Sequence, residues 1–312
     1  MYRLIVALAV LAGQVEAQIY PSRPVRIVVP FGPGGSGDIT ARTFAQYLEG
    51  QARQPVVVEN KPGANGIIGT EAVKAAAPDG YTLLLTTNTT HAANVSLYRK
   101  LPYDPLKDFE HIGLFGTFGS VAVVPAASGI RSIPDLVAYA RTNPVFFGHY
   151  NSASQMSAEL FKLRAGIPMT AVSYKAIGNA VADLMGRQIQ VLFMEYVSGS
   201  SHIEGGKVMP LGVTGRERHK AWPGVPAIGE FYPGYELTAF LGLAAPARTP
   251  PETVEALHGW LERALADPGV TGALDRLGMA TRAMRRDEYR RYIAQEIERW
   301  AGHVKAAKIE PQ

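Results

Sequence analysis

Val25-Arg-Ile-Val-Val-Pro-Phe-Gly-Pro-Gly-Gly-Ser-Gly-Asp38 decides how the rest of the chain is read. A β-branched run of strand character ends at Pro30-Phe31, four glycines follow within seven residues, and Asp38 stands where a helix opens. Glycine lets the backbone turn back and present its N–H groups to a ligand. The helix that follows adds unpaired donors and a partial positive charge at its N-terminus. The stretch reads as an anion-binding turn, and the question is which anion.

A nucleotide is one candidate. Gly32-Pro-Gly34-Gly-Ser-Gly37 has the spacing of a dinucleotide fingerprint, and Glu59 ends the next strand about twenty residues on, where a ribose-binding acid would stand. Pro30 and Phe31 stiffen the strand exit, however, and Asp38 puts a negative charge where pyrophosphate would sit. A purely structural turn is the plain alternative. The other candidate is the carboxylate of a small free metabolite.

The N-terminus bears on this choice. Met1–Ala17 carries one early charge, Arg3, then an apolar run from Leu4 to Ala12 and a Val15-Glu16-Ala17 end suited to a signal peptidase. It reads as a secretory signal peptide, against the alternative of a short buried helix, and an exported chain meets little free NAD. No later apolar run reaches spanning length, so a soluble periplasmic protein is expected. The chain has no cysteine, which removes disulfides, thiol catalysis and cysteine-based metal sites. Net charge is +4, but the one dense basic cluster, Arg282 to Arg291, contains Asp287 and Glu288 and reads as a solvated helix face, not a nucleic-acid footprint.

Strand and helix patterns alternate along the chain, which predicts an α/β fold with mainly parallel sheets. Strands are expected at 25–29, 56–59, 81–86, 112–115, 121–124, 145–148, 170–174, 189–193, 209–213 and 237–244, with helices at 38–51, 66–76, 134–142, 157–165, 179–186, 252–266 and 286–305. Phe115–Val121 and Glu236–Leu243 are extended-looking stretches, uncharged apart from Glu236 itself, that read as crossings between two lobes. The expected division is lobe 1 from 18–117 and 241–312, lobe 2 from 118–240, with a hinge and a ligand cleft between them.

Polar groups converge on the strand exits facing that cleft. Thr87-Asn88-Thr89-Thr90-His91 offers hydroxyls and an amide that donate to a carboxylate without burying a second charge. From lobe 2, Asn151-Ser152-Ala-Ser154-Gln155, the segment Tyr174 to Gly178, and Glu195 occupy equivalent positions. No nucleophile elbow, phosphate loop or zinc-protease helix is present. His91 and His149 are expected in loops, in structural or rim roles.

Several linked motifs resemble one family. Tyr20-Pro-Ser-Arg-Pro-Val-Arg-Ile-Val-Val-Pro-Phe-Gly-Pro-Gly-Gly-Ser-Gly-Asp38, Gln54-Pro-Val-Val-Val-Glu-Asn-Lys-Pro-Gly-Ala-Asn-Gly66, Ala77-Pro-Asp-Gly-Tyr-Thr-Leu-Leu84 and Leu101-Pro-Tyr-Asp-Pro105 look like the Bug family, the periplasmic receptors of tripartite tricarboxylate transporters. The resemblance implies a monomeric, two-lobed binding protein of type II-like architecture that closes on a small carboxylate and passes it to a membrane permease. It implies no enzyme activity, no cofactor and no metal. By position, Phe31, Gly34, Gly35, Ser36 and Asp38 would come from the first loop and Asn88, Thr89 and Thr90 from the second, Asp38 as a helix cap and loop brace. Ser152, Ser154, Gln155, Tyr174, Gly178 and Glu195 would complete the pocket. The chain departs from the family at 147–156, where a glycine-rich turn is shortened and Gln155-Met156 stands in place of His-Leu, and at Glu195-Tyr196, where many relatives have Asp followed by Asn or Ser. A ligand-presenting subunit for a sensor protein is the alternative function, and an exported oxidoreductase a third.

Overall fold

The computed structural model describes residues 20–312, so the expected signal peptide at Met1–Ala17 lies outside the described residues. The strands are β1 (Val25–Val29), β2 (Val56–Asn60), β3 (Thr82–Thr87), β4 (Phe109–Phe118), β5 (Ser120–Pro125), β6 (Phe146–His149), β7 (Thr170–Ser173), β8 (Val191–Glu195), β9 (Val208–Val213), β10 (Ala239–Pro246) and β11 (Ala280–Thr281). The helices are α1 (Ser36–Ala52), α2 (Ile67–Lys74), α3 (Asn94–Leu97), α4 (Ile133–Ala140), α5 (Ser152–Ala165), α6 (Ile177–Met185), α7 (Tyr196–Glu204), α8 (Pro251–Ala266), α9 (Pro268–Arg276) and α10 (Arg286–Ala306).

Two sheets carry these strands, in the orders β11-β4-β10-β3-β1-β2 and β7-β6-β8-β5-β9. Each has a parallel trio, with β1 between β2 and β3 in the first and β6 between β7 and β8 in the second. Each is completed by antiparallel strands: β10 runs against β3 and β4, and β5 against β8 and β9. The sheets are therefore mixed, not mainly parallel. Every residue of β10 and β5 is buried, and a continuous apolar run reads the same in either direction.

Helical periodicity fixes which faces are covered. In α1, Ala41, Phe44, Ala45 and Leu48 form the inward stripe, and Phe44 meets Phe115 of β4 edge-on at 5.4 Å. In α10, Tyr289, Ile293, Trp300 and Val304 are buried, and the Tyr289 hydroxyl lies 2.6 Å from Thr86 Oγ1, which ties the C-terminal helix to β3. The opposite face of α10 is the solvated, charge-paired surface expected, with Arg291 donating to Asp287 at 2.9 Å. Short helices α7 and α9 escaped the pattern, because Gly199, Gly269 and Gly272 weaken their propensity.

The chain passes between the sheets twice, and the two passages are laced together. Gly119 alone separates β4 from β5, where a Cβ would press on the Tyr196 hydroxyl and come 3.2 Å from the Gly215 amide. Next to it, Ser120 N–H donates to Thr214 Oγ1 at 2.8 Å, Thr214 N–H to Ser120 O at 2.8 Å, and Leu237 N–H to Thr214 O at 2.9 Å. Thr214 thus joins the outgoing and returning strands, leaving few backbone torsions to take up any movement.

His91 is not in a loop. It lies in a wide helical turn, Thr89–Ala93, fully buried against Phe109, with its ring 6.0 Å from that of His111. Burial, reinforced by His111, holds its pKa well below the ordinary value. Burial likewise brings His111 down to about 4, with Arg290 and Arg286 adding to the effect, while its Nε2–H donates to Pro105 O at 3.1 Å. A histidine whose folded pKa is depressed leaves stability intact above the unfolded value near 6.5, and stability falls as pH drops from there toward 4. Melting temperature should therefore decline between pH 6.5 and 4.5. His111→Gln, which keeps a donor for Pro105, should flatten that slope, and an unchanged slope would contradict the assignment.

Candidate functional site

After β1 the backbone makes its turn at Gly34, whose φ of +83° is the left-handed conformation glycine tolerates best. Gly35 is the N-cap and α1 starts at Ser36, two residues earlier than the sequence pattern indicated. Asp38 is the third helical residue. Its Oδ2 accepts from Gly34 N–H at 3.0 Å, and its Oδ1 accepts from Arg42 Nε at 3.0 Å and Nη2 at 2.9 Å. Arg42 Nη2 also donates to Asn60 Oδ1 at 3.1 Å, and Asn60 Nδ2 donates to Phe31 O at 3.1 Å. This circuit braces the loop at both ends. Burial works against ionisation of Asp38, but the hydrogen bonds from Arg42 and Gly34 outweigh it and hold the carboxyl below its usual pKa. The amides of Gly37 and Asp38, in the first turn of α1, have no intrahelical acceptor by geometry.

The second loop is helical, not the open polar turn expected. Thr87 and Thr90 lock it: Thr90 Oγ1 accepts from Thr87 N–H at 3.2 Å, and Thr87 Oγ1 accepts from Thr90 N–H at 3.2 Å. Thr90 is thereby committed to the fold. Asn88 and Thr89 border the cleft, and Asn88 is only 4% exposed while its Nδ2 has no partner among the described residues. A buried donor left unmatched costs about 1–3 kcal/mol, a deficit that an acceptor on a bound solute would remove.

From the second sheet, β8 delivers Glu195. Its amide donates to the half-buried Tyr150 hydroxyl at 3.3 Å, and Asn151 Nδ2 donates to its Oε1 at 3.1 Å. Glu195 Oε2 crosses to the first sheet's side, accepting from Ser36 Oγ at 2.6 Å and Ser36 N–H at 3.3 Å. Asn151 also caps α5: its Oδ1 accepts from Ser154 N–H at 2.9 Å, while Ser154 Oγ accepts from Asn151 N–H at 3.2 Å. That reciprocal pair starts α5 at Ser152, five residues before the sequence pattern placed it. Serine at the third position is a weaker start signal than the usual Glu or Gln.

Between these groups lies a cavity of about 100 Å³. Of the expected residues, Phe31, Gly35, Ser36, Asp38, Asn88, Thr89 and Glu195 border it. Gly34 sits one step back in the turn. Thr90, Ser152, Ser154, Gln155, Tyr174 and Gly178 do not border it. Ser154 is occupied in the cap, Tyr174 OH donates to Asp183 Oδ2 at 2.8 Å, and Gly178 is exposed in the first turn of α6. Tyr150 and Ser198 border the cavity although the sequence did not single them out. Asn151 and Lys175 came up only as parts of the stretches 151–155 and 174–178. Tyr150 follows a short strand without any motif, and Ser198 lies in the helix that was missed.

An α/β pair of sheets laced by two passages, with donors from one side and an acid from the other meeting in a small cleft, defines a solute-binding receptor architecture. The family described as "Tripartite tricarboxylate transporter family receptor" matches residues 40–309. The chain belongs to that family of receptors, which are not enzymes, and the nucleotide reading of the glycine loop is thereby set aside. Among relatives, BugT of Bordetella pertussis is 34% identical over 308 residues, 97% of this chain and 94% of that protein. A Rhodopseudomonas palustris protein solved with adipate superposes with a TM-score of 0.90 at 31% identity, covering 94% of this chain and all of that one. MatC of the same organism, with bound malate, gives 0.83 at 29% identity over 91% of this chain and all of that one. Glu59, the acid a ribose would have required, is instead paired with Arg26 at 3.1 Å.

If Asn88 is held ready for a solute, Asn88→Ala should leave the melting temperature of the free protein unchanged or slightly raised, because an unmatched donor disappears. The same variant should weaken solute binding about tenfold or more by calorimetry. A loss of stability with unaltered affinity would give Asn88 a structural role instead.

Proposed function

We propose that this protein, exported through Met1–Ala17, acts as a monomeric periplasmic receptor that captures a small carboxylate by closure of two lobes and delivers it to a tripartite transporter permease. The lobes are 18–117 with 241–312, and 118–240. The observation that carries the reading is the unmatched Asn88 amide beside the first-turn amides of α1, in a cleft that the second sheet also walls. Adipate and malate in two similar proteins support a carboxylate as the solute.

The geometry supplies a mechanism. Solute carboxylate docks first on the Gly37 and Asp38 amides and on Asn88 Nδ2, the hydroxyl of Thr89 standing beside them. Asp38 does not repel it, because Arg42 answers its charge. The second lobe then swings in about the Gly119 and Thr214 passages, and Glu195, Tyr150 and Asn151 close the far wall. Charge-assisted hydrogen bonds are worth roughly 1.5–3 kcal/mol each, so three or four suffice for micromolar binding after ordering costs.

Gly35 provides the test. Its φ of −82° suits any residue and a Cβ there meets nothing within 4 Å, so a larger side chain fits the backbone and projects into open space at the cleft. Gly35→Leu should cost no more than about 1 kcal/mol, the penalty of a poorer N-cap, and abolish the thermal shift that a panel of mono-, di- and tricarboxylates produces in the natural protein. A full thermal shift in the variant, or none with any carboxylate in the natural protein, would contradict the reading.

A further inference from the structure

Two carboxylates border the cleft near the start of α1, and they differ in one respect. Asp38 has the Arg42 guanidinium at 2.9 Å, whereas Glu195 has no ion-pair partner among the described residues. Its ligands are neutral: Ser36 Oγ and N–H on Oε2, and Asn151 Nδ2 on Oε1. Lys175 borders the same cavity but is exposed and pairs with neither acid. The three donors orient the Glu195 carboxylate without cancelling its charge. A carboxylate has about four acceptor sites, so one on Oε1 remains for a solute.

Glu195 also uses up the Ser36 donors. On the α1 side of the cavity, what is left for a solute carboxylate is Asn88 Nδ2, buried without a partner among the described residues, and the amides of Gly37 and Asp38, with the Thr89 hydroxyl beside them. The cavity therefore offers a donor wall and, beside it, a single uncompensated negative charge. A second carboxylate turned toward Glu195 meets a like charge and finds the Ser36 donors taken. An ammonium group meets the missing counter-ion and the free acceptor site.

We infer that Glu195 determines specificity, selecting a small carboxylate that also carries an ammonium group and rejecting the matched dicarboxylate. This rests on the reading of the cleft as a carboxylate receptor site and narrows the solute class. The negative charge is the active element: an amide keeps an oxygen for both Ser36 donors and gives up only the Asn151 Nδ2 contact.

Calorimetry on the full mature chain tests it with two matched pairs, aspartate against succinate and glutamate against glutarate. The natural protein should bind the ammonium-bearing member of at least one pair about tenfold or more tightly than its partner. Glu195→Gln should bring that ratio to within about threefold. Equal or tighter binding of the dicarboxylates by the natural protein overturns the inference, and that measurement needs no variant to fold. A ratio that persists in Glu195→Gln also overturns it, assigning the preference to another group. If none of the four solutes binds, the inference is overturned, and the broader carboxylate panel decides separately whether the receptor reading stands.

Discussion

The ion pair between Arg42 and Asp38 is what the rest of the site depends on. An acid in the first turn of a helix is favourable to the helix dipole, but it would also repel any anion approaching that end. Arg42, one turn on, cancels the charge through two nitrogens and extends the link to Asn60 and so to the Phe31 carbonyl. The same carboxylate holds the Gly34 amide. The loop thus keeps its shape through Asp38 while the Gly37 and Asp38 amides stay free for a solute. Removing Arg42 would leave an uncompensated acid at the place where we propose that an anion is received.

The second constraint is that the cleft is walled by two sheets joined by very little chain. Gly119 separates β4 from β5, and Thr214 bonds both to Ser120 and to Leu237. Few torsions are available there to any motion of one sheet against the other, and at the mouth of the cleft the hydrogen bonds of Glu195 with Ser36 span the gap. This contact is polar and partly buried. It can be exchanged for contacts to a solute without unpacking either core, because the large apolar side chains lie behind the cleft, among them Phe44 and Phe115 on one side and Phe161 and Phe193 on the other.

Much of this was legible in the sequence, for identifiable reasons. The strand, glycine loop and helix of 25–52 announce themselves because β-branched residues, four glycines and a 3.6-residue apolar stripe follow each other without ambiguity. The polar row after β3 marked Asn88 and Thr89, and the position of Glu195 after an apolar strand marked the opposite wall. What escaped notice was set by tertiary structure. The antiparallel direction of β10 and β5 leaves no trace in a fully apolar run. The Thr87–Thr90 knot turned a row of four hydroxyl and amide candidates into two, since short polar side chains bond their own backbone as readily as a ligand. Tyr174 had a partner in Asp183, nine residues on, that no local pattern reveals, and Tyr150 reaches Glu195 across 45 residues of sequence.

The central claim is that free amides at the start of α1 receive a solute carboxylate, and backbone resonances report on it directly. In ¹⁵N–¹H spectra recorded during a carboxylate titration, the amides of Gly37 and Asp38, together with the Asn88 side-chain amide, should show the largest shifts and saturate with one common affinity. Shifts concentrated elsewhere, for instance at the open groove of Lys74, Tyr98 and Arg99, with residues 34–38 unmoved, would contradict it.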